Sequence, residues 1–164
     1  MLTLPDIVRK KKQHYVAIRA ELTMRQIGSR GPKLSQEVAK WAEAKGIAVG
    51  AAFFRYNVID MQGLLDMEFG FFTEKALKGE GKIEAGSIPA GRYVSLTWFG
   101  SPAKLYDVTA VLIGWGRERA MRWDGAATEK GDSFACRMEI YKTDPAEEPD
   151  MDKWETEIVI KLAE

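Results

Sequence analysis

The chain is poor in the residues that build covalent or metal-held frameworks. It has one cysteine, Cys136, and one histidine, His14, in 164 residues. A lone cysteine excludes an internal disulfide and any thiolate-rich metal site, and a lone histidine has no second imidazole with which to share an ion. A Ser-His-Asp set is excluded anywhere but around His14. Charge of one sign is missing too. Lys and Arg number 24 and Asp and Glu number 24, so no net field draws the chain to nucleic acid or membrane. No apolar run approaches the ~20 residues that span a bilayer, and no apolar stretch of the signal-peptide kind opens the sequence. There is no phosphate-cradling glycine loop before a helix and no His-Glu pair for zinc. These absences lead to the expectation of a soluble, cytoplasmic protein with no metal and no cofactor, touching neither nucleic acid nor membrane directly. They leave oligomeric state open.

What is present is ordinary in bulk and unusual in order. Hydrophobic residues make up 46% and charged residues 29%, enough apolar surface for one compact domain or two small halves sharing a core. The basic run Arg9-Lys10-Lys11-Lys12 reads as a solvated arm. His14 beside it reads as exposed, and Cys136, between Phe134 and Met138, reads as core. The order of landmarks occurs twice. Tyr15-Val16 opens a strand, a helix-like stretch with Trp41 follows, then Phe54-Arg55-Tyr56 through Asp60, then Met67-Glu68-Phe69. The second pass runs Tyr93-Val94, a stretch with Trp115, Ile140-Tyr141 through Asp144, then Thr156-Glu157-Ile158. A repeat of this kind implies two copies of one strand–helix–strand–strand unit and a groove where they meet.

The grammar of each copy supports that reading. Val16, Ile18, Ala20 and Leu22 alternate with Tyr15, Arg19 and Glu21 as in a half-buried strand. Gly28 to Pro32 reads as a breaker, with a helix starting at Pro32, carrying Leu34, Val38, Trp41 and Ala42 on one face and stopping at Gly46. Residues 73–87, rich in Lys, Glu and Gly, read as a linker. In the second copy Ser101-Pro102 is a strong helix start, and Leu105, Val108, Leu112 and Trp115 share a face. Residues 124–132 read as a loop, and Trp154 to Leu162 as a final strand with Trp154, Thr156, Ile158, Ile160 and Leu162 toward the core. The predicted architecture is α+β, in a single domain. Module one covers about residues 14–72 and module two about 88–162, related by a pseudo-two-fold axis. The sheet is expected to be antiparallel, of about six to eight strands, with both helices on one face and a ligand cleft on the other.

Two glutamates, Glu68 and Glu157, stand inside apolar strands at matching places in the two copies. Strict alternation turns both away from the helices. They are either solvent-side strand residues or the polar groups of the cleft. Tyr56 and Tyr141 also match. Trp41 and Trp115 read as buried on helix faces. Trp98 is ambiguous, since a strand-end twist could turn it into the groove. Trp123 reads as a lid or a surface anchor.

The Ile88-Pro89-Ala90-Gly91-Arg92-Tyr93 turn and strand, the Glu139-Ile140-Tyr141…Asp144-Pro145 strand end and the Glu155-Thr156-Glu157-Ile158 strand carry a resemblance. Weaker echoes lie at Phe54-Arg55-Tyr56 and Glu68-Phe69-Gly70-Phe71. With them the chain resembles, over residues 14–162, the GyrI-like small-molecule-binding domain, which also serves as the effector domain of multidrug-sensing bacterial transcription activators. The resemblance implies a cleft for bulky hydrophobic compounds, often planar or cationic, with Glu157 as buried counter-charge and Tyr141 as its partner. It implies Glu68, Tyr56, Phe54, Trp98 and Trp123 as further ligand contacts. Some stand-alone members are hydrolases that open the cyclopropane ring of DNA-alkylating natural products. That leaves Glu157 as a general base and Tyr141 as its helper in an alternative reading. A third reading follows the family's gyrase-binding members and would use the acidic run Glu147 to Asp152 as an interaction surface. With no DNA-binding domain in the sequence, the chain is similar to the stand-alone members. It departs from the family at Trp98-Phe99-Gly100-Ser101-Pro102, where a bulky residue stands in place of a histidine or small polar residue and the Gly-Pro-Tyr-like turn is changed.

Overall fold

The computed structural model describes all 164 residues, Met1–Glu164. Strands β1 (Asp6–Lys10) and β2 (Gln13–Leu22) lead into helix α1 (Met24–Ala44), then β3 (Ala52–Ile59) and β4 (Leu65–Thr73). The second pass is β5 (Ile83–Ile88), β6 (Gly91–Phe99), helix α2 (Leu105–Glu118), the hairpin β7 (Gly125–Thr128) and β8 (Gly131–Phe134), β9 (Arg137–Tyr141) and β10 (Glu155–Lys161). All ten strands join one sheet in the order β1-β6-β10-β9-β3-β4-β2-β5, with β8 on the end of β3 and β7 on β8. Every pairing is antiparallel.

Outward from the centre, β9-β10-β6-β1 repeats β3-β4-β2-β5. The duplication is exact in register. Glu68 pairs with Arg19, four residues after Tyr15, and Glu157 pairs with Thr97, four residues after Tyr93. Tyr56 pairs with Met67 and Tyr141 with Thr156, in each case the residue before the glutamate. The local two-fold axis passes through the pair Phe54–Glu139, which face each other across β3 and β9 and are each other's counterparts in the repeat.

Two segments expected to be unstructured are the edges that tie the halves together. The basic arm contains β1, which pairs with β6 of the other module, and the linker contains β5, which pairs with β2. Each module thus lends its leading strand to its partner, and the sheet's own hydrogen bonding, invisible to local composition, orders both segments. The expected loop at 124–132 likewise holds the β7–β8 hairpin. His14 lies in β2 and is half-buried. Helix α1 starts at Met24 and runs unbroken through Gly28 and Pro32. Its start is set by Thr23, whose backbone N–H donates to the Gln26 side chain at 3.0 Å. Its apolar residues Met24 and Ile27 then pack on the Leu65–Met67–Phe69 face. Gly31 is required here. A Cβ would lie 2.9 Å from the Phe54 ring and 3.0 Å from Phe69, so only glycine lets the helix close over them.

Both helices lie on one face, each over its own half. Helix α1 covers β2 and β4, around Val16, Ile18 and Phe69, and α2 covers β6 and β10, around Leu96, Ile158 and Ile160. The opposite face is filled by its own side chains. Tyr15, Phe53, Ile88, Tyr93, Cys136, Met138, Ile140 and Val159 form a core there, bringing together residues from both wings of the sheet. Cys136 is buried, and burial raises its thiol pKa, so it is an inert core residue.

Trp41 and Trp115 are half-buried, short of the full burial expected. Trp41 donates to Glu80 at 3.0 Å, and Arg119 stacks on Trp115 at 4.2 Å. Replacing Trp41 by Phe keeps part of its packing on the Val16–Ile18–Val38 cluster and removes one exposed hydrogen bond. Urea denaturation should show a modest loss of stability.

Candidate functional site

The helices leave the two central strands uncovered between them. The result is a cavity of about 1580 Å³ on the helix face, floored by β3 and β9 and walled by α1 and α2. The expectation of a cleft on the face opposite the helices is therefore corrected. That face is packed solid, and the gap lies where neither helix reaches.

Alternation along β3 presents Phe54 and Tyr56 to this cavity, and along β9 it presents Arg137, Glu139 and Tyr141. Glu139 sits at the centre of the floor. Tyr56 donates its hydroxyl to one carboxyl oxygen at 2.9 Å, and Tyr141 donates to the other at 2.5 Å. One tyrosine comes from each half, and the two-fold axis aims both at the same carboxyl. Phe54 stands edge-on to Tyr141 and to Phe69, with ring centroids 5.0 and 4.7 Å apart. Burial raises the pKa of Glu139, and the two tyrosine hydrogen bonds with the nearby Arg137 charge offset this only in part. Burial, reinforced by the Glu139 charge, also lifts both tyrosines well above their usual value, so they remain neutral donors.

Arg137 lies two residues along β9 from Glu139, on the same face. It makes no hydrogen bond or ion pair to the protein. Its guanidinium rests against the rings of Phe134 at 4.9 Å and Tyr56 at 5.9 Å. Burial lowers its pKa, but arginine stays charged. The mouth is edged by Tyr106 and Ile113 of α2, Met24 and Ile27 of α1, and Trp154. Trp154 donates to the Glu148 carbonyl at 2.7 Å and so pins the acidic loop at the rim.

The residues singled out in the sequence divide between the two faces. Tyr56, Tyr141 and Phe54 line the cavity. Glu157 and Glu68 do not. Both lie on the opposite face, as alternation placed them, but there they belong to buried polar networks. Glu157 binds Lys10 at 2.9 Å and Lys142 at 3.0 Å and accepts from Ser95 at 2.8 Å. Burial acts to raise its pKa, and these partners more than reverse the effect, so its carboxyl is held below the ordinary range. Glu68 accepts from Tyr15 at 2.7 Å and from Asn57 at 2.9 Å, with Arg55 at 3.8 Å. Trp98 stays outside, with its indole N–H on the Ser101 carbonyl at 3.0 Å and its ring in a small recess with Leu2 and Lys104. Trp123 packs under α2, where a Cβ on Gly116 would meet its ring at 2.6 Å. Neither tryptophan lines the main cavity.

Glu139, Arg137 and Trp154 are among the cavity residues that the sequence did not assign to the site. The usable signal for Glu139 was its shared strand face with Tyr141 and its alignment with Phe54 in the repeat. No cluster of three His, Cys, Asp or Glu residues is arranged to hold a metal ion. No helix is long and apolar enough to cross a membrane.

A large apolar cavity with a few convergent polar groups, set in a duplicated α/β sheet, defines a small-molecule-binding protein. The chain belongs to the GyrI-like small molecule binding domain family, whose model matches residues 4–163. Among solved structures it is similar to the C-terminal domain of EcmrR, at 19% identity and a TM-score of 0.73, covering 98% of each chain. It spans 57% of the EcmrR chain in the EcmrR–DNA complex. It is also similar to SAV2435 bound to tetraphenylphosphonium, at 10% identity and a TM-score of 0.62, over 98% of this chain and 94% of that one. A hydrolase from Listeria innocua matches at 10% identity and a TM-score of 0.59, over 97% and 91%. No curated protein matches the chain in sequence.

Proposed function

We propose that the chain binds bulky hydrophobic cations, often planar ones, in the cavity between α1 and α2, with Glu139 as their counter-charge. The observation that carries this reading is a single carboxyl at the centre of an aromatic floor, held by two tyrosine hydroxyls. A cation above Glu139 meets the carboxylate in a poorly solvated site, where charge attraction is strong, and the ring faces of Tyr56, Tyr141 and Phe54 add about 0.5–2 kcal/mol each through cation–π contact. The counter-charge role that the family resemblance placed at Glu157 is assigned here to Glu139. The likeness to SAV2435, solved with the hydrophobic cation tetraphenylphosphonium, supports the choice of ligand class.

Titration calorimetry with tetraphenylphosphonium tests the reading. Binding should be saturable. Tyr56→Phe and Tyr141→Phe should each weaken it by about 0.5–1.5 kcal/mol, because each loses one hydrogen bond that favours the ionised carboxyl. No heat and no saturation with the wild-type chain would overturn the proposal.

The raised pKa of Glu139 favours a second reading. A carboxyl shifted toward neutrality suits acid–base work on water, and Tyr141 stands beside it as a neutral donor. Opening a cyclopropane-bearing electrophile would add the mass of one water. Mass spectrometry after incubation distinguishes turnover from binding alone.

A further inference from the structure

Arg137 is the group that the cation-binding reading leaves without a task. An arginine placed against a cation site should repel the ligand, and most partly buried cations in this chain are already engaged. Arg55 donates to Tyr15, to the Ser87 carbonyl and to the Ala135 carbonyl. Lys161 is bound to Asp124 and Lys10 to Glu157. Arg137 has no such acceptor. Its natural partner would be Glu139, but the oxygens of that carboxyl accept from Tyr56 and Tyr141, and no contact between Arg137 and Glu139 falls within ion-pair distance. The guanidinium instead lies against the rings of Phe134 and Tyr56, at 4.9 and 5.9 Å, with its five N–H donors uncommitted by the protein. Aromatic contact of this kind uses none of the N–H donors, which remain free for a planar acceptor in the cavity.

From this geometry we infer that the cavity selects zwitterionic ligands, in which a hydrophobic cation carries a carboxylate or similar planar acceptor. The inference rests on the cation reading of Glu139. The cationic centre sits over Glu139, and the carboxylate takes the guanidinium edge of Arg137 in a two-point hydrogen-bonded pair. Two side chains at i and i+2 of a strand emerge roughly 6.5–7 Å apart, so the two ligand charges should be separated by a short alkyl or aryl spacer. Arg137 is then a specificity-determining residue. It penalises a bare cation and rewards one with an acceptor at the right reach.

Carboxybutyl-triphenylphosphonium and its methyl ester are a matched pair for the test, sharing the cation and differing in the carboxylate. In calorimetry the wild-type chain should bind the acid about tenfold or more tightly than the ester, with the difference shrinking at high salt. Arg137→Met, which keeps length and removes charge, should abolish or invert that preference while retaining the ester. Equal affinity of the wild-type chain for both compounds, or a preference for the ester, would overturn the inference and leave the cation reading standing. That comparison needs no variant and so survives any folding defect in Arg137→Met. Binding of neither compound would overturn the cation reading and the inference with it.

Discussion

Glu139→Gln should lower the affinity for tetraphenylphosphonium by about one to two decades, or about 1.5–3 kcal/mol, the range of a charge-assisted contact in a poorly solvated site. Glutamine fills the same volume and can still bond both tyrosine hydroxyls, so the loss reports the charge. The pH dependence separates this from a change of shape. Burial raises the pKa of Glu139, so part of the wild-type population is neutral until the pH climbs past that raised value. Cation affinity should therefore fall on acidification through that range in the wild-type chain and stay flat in Glu139→Gln. The stability effect has the opposite sign. A carboxyl whose pKa is raised on folding costs stability as pH rises from about 4.3 through the folded value. Glu139→Gln should thus be at least as stable as wild type at neutral pH. Equal affinity of the two proteins at all pH values would remove Glu139 from the site.

Glu157→Gln should leave tetraphenylphosphonium binding unchanged and damage the fold. Its carboxylate holds Lys10 of β1 and Lys142 after β9, with Ser95 donating from β6, so it joins the outer strand to the centre of the sheet. Glutamine leaves the Lys10 charge partly buried without a counter-ion. Fully buried pairs cost about 3–5 kcal/mol when one partner is removed. Here the Lys142 side chain is 42% exposed and solvent screens it, so about 1–3 kcal/mol is expected in urea denaturation at neutral pH. The folded pKa is depressed, so this stabilisation is present above the ordinary carboxylate value of about 4.3 and is lost as pH falls through the folded pKa. The gap between wild type and variant should close in acid. A loss of ligand binding without a loss of stability would return Glu157 to the site.

These two glutamates show how far the sequence could be read. The matching of Tyr15 with Tyr93, Tyr56 with Tyr141 and Glu68 with Glu157 holds in the strand registers. Alternation put Glu157 opposite Ile158 and Ile160, as observed, whereas Tyr141, expected beside Glu157, lies on the helix face instead. The side of the sheet that would be open could not be read in that way. Period-two patterning sorts residues between two faces and is silent on which face is filled. The face carrying Glu68 and Glu157 is closed by Val8 of β1 and Ile88 of β5, from segments whose composition reads as arm and linker. They become strands because β6 and β2 offer unpaired edges, a fact of tertiary assembly.

The amino-acid pattern by itself determined the duplication, the antiparallel sheet with its two helices, the core faces of the strands and the pairing of the two tyrosines. Each of these follows from spacing along the chain, which short-range sterics and hydrophobic periodicity control. The tertiary structure decided the rest: that β1 and β5 change places between modules, that the gap opens between the helices, and that Glu139 occupies it. Glu139 and Phe54 are distant in sequence but meet at the two-fold axis, where one half supplies a ring and the other a carboxyl. Tyr141 reaches Glu139 within its own strand, but only the packing of β3 against β9 brings Tyr56 to the same carboxyl group, and no local signal encodes a contact made across a symmetry axis.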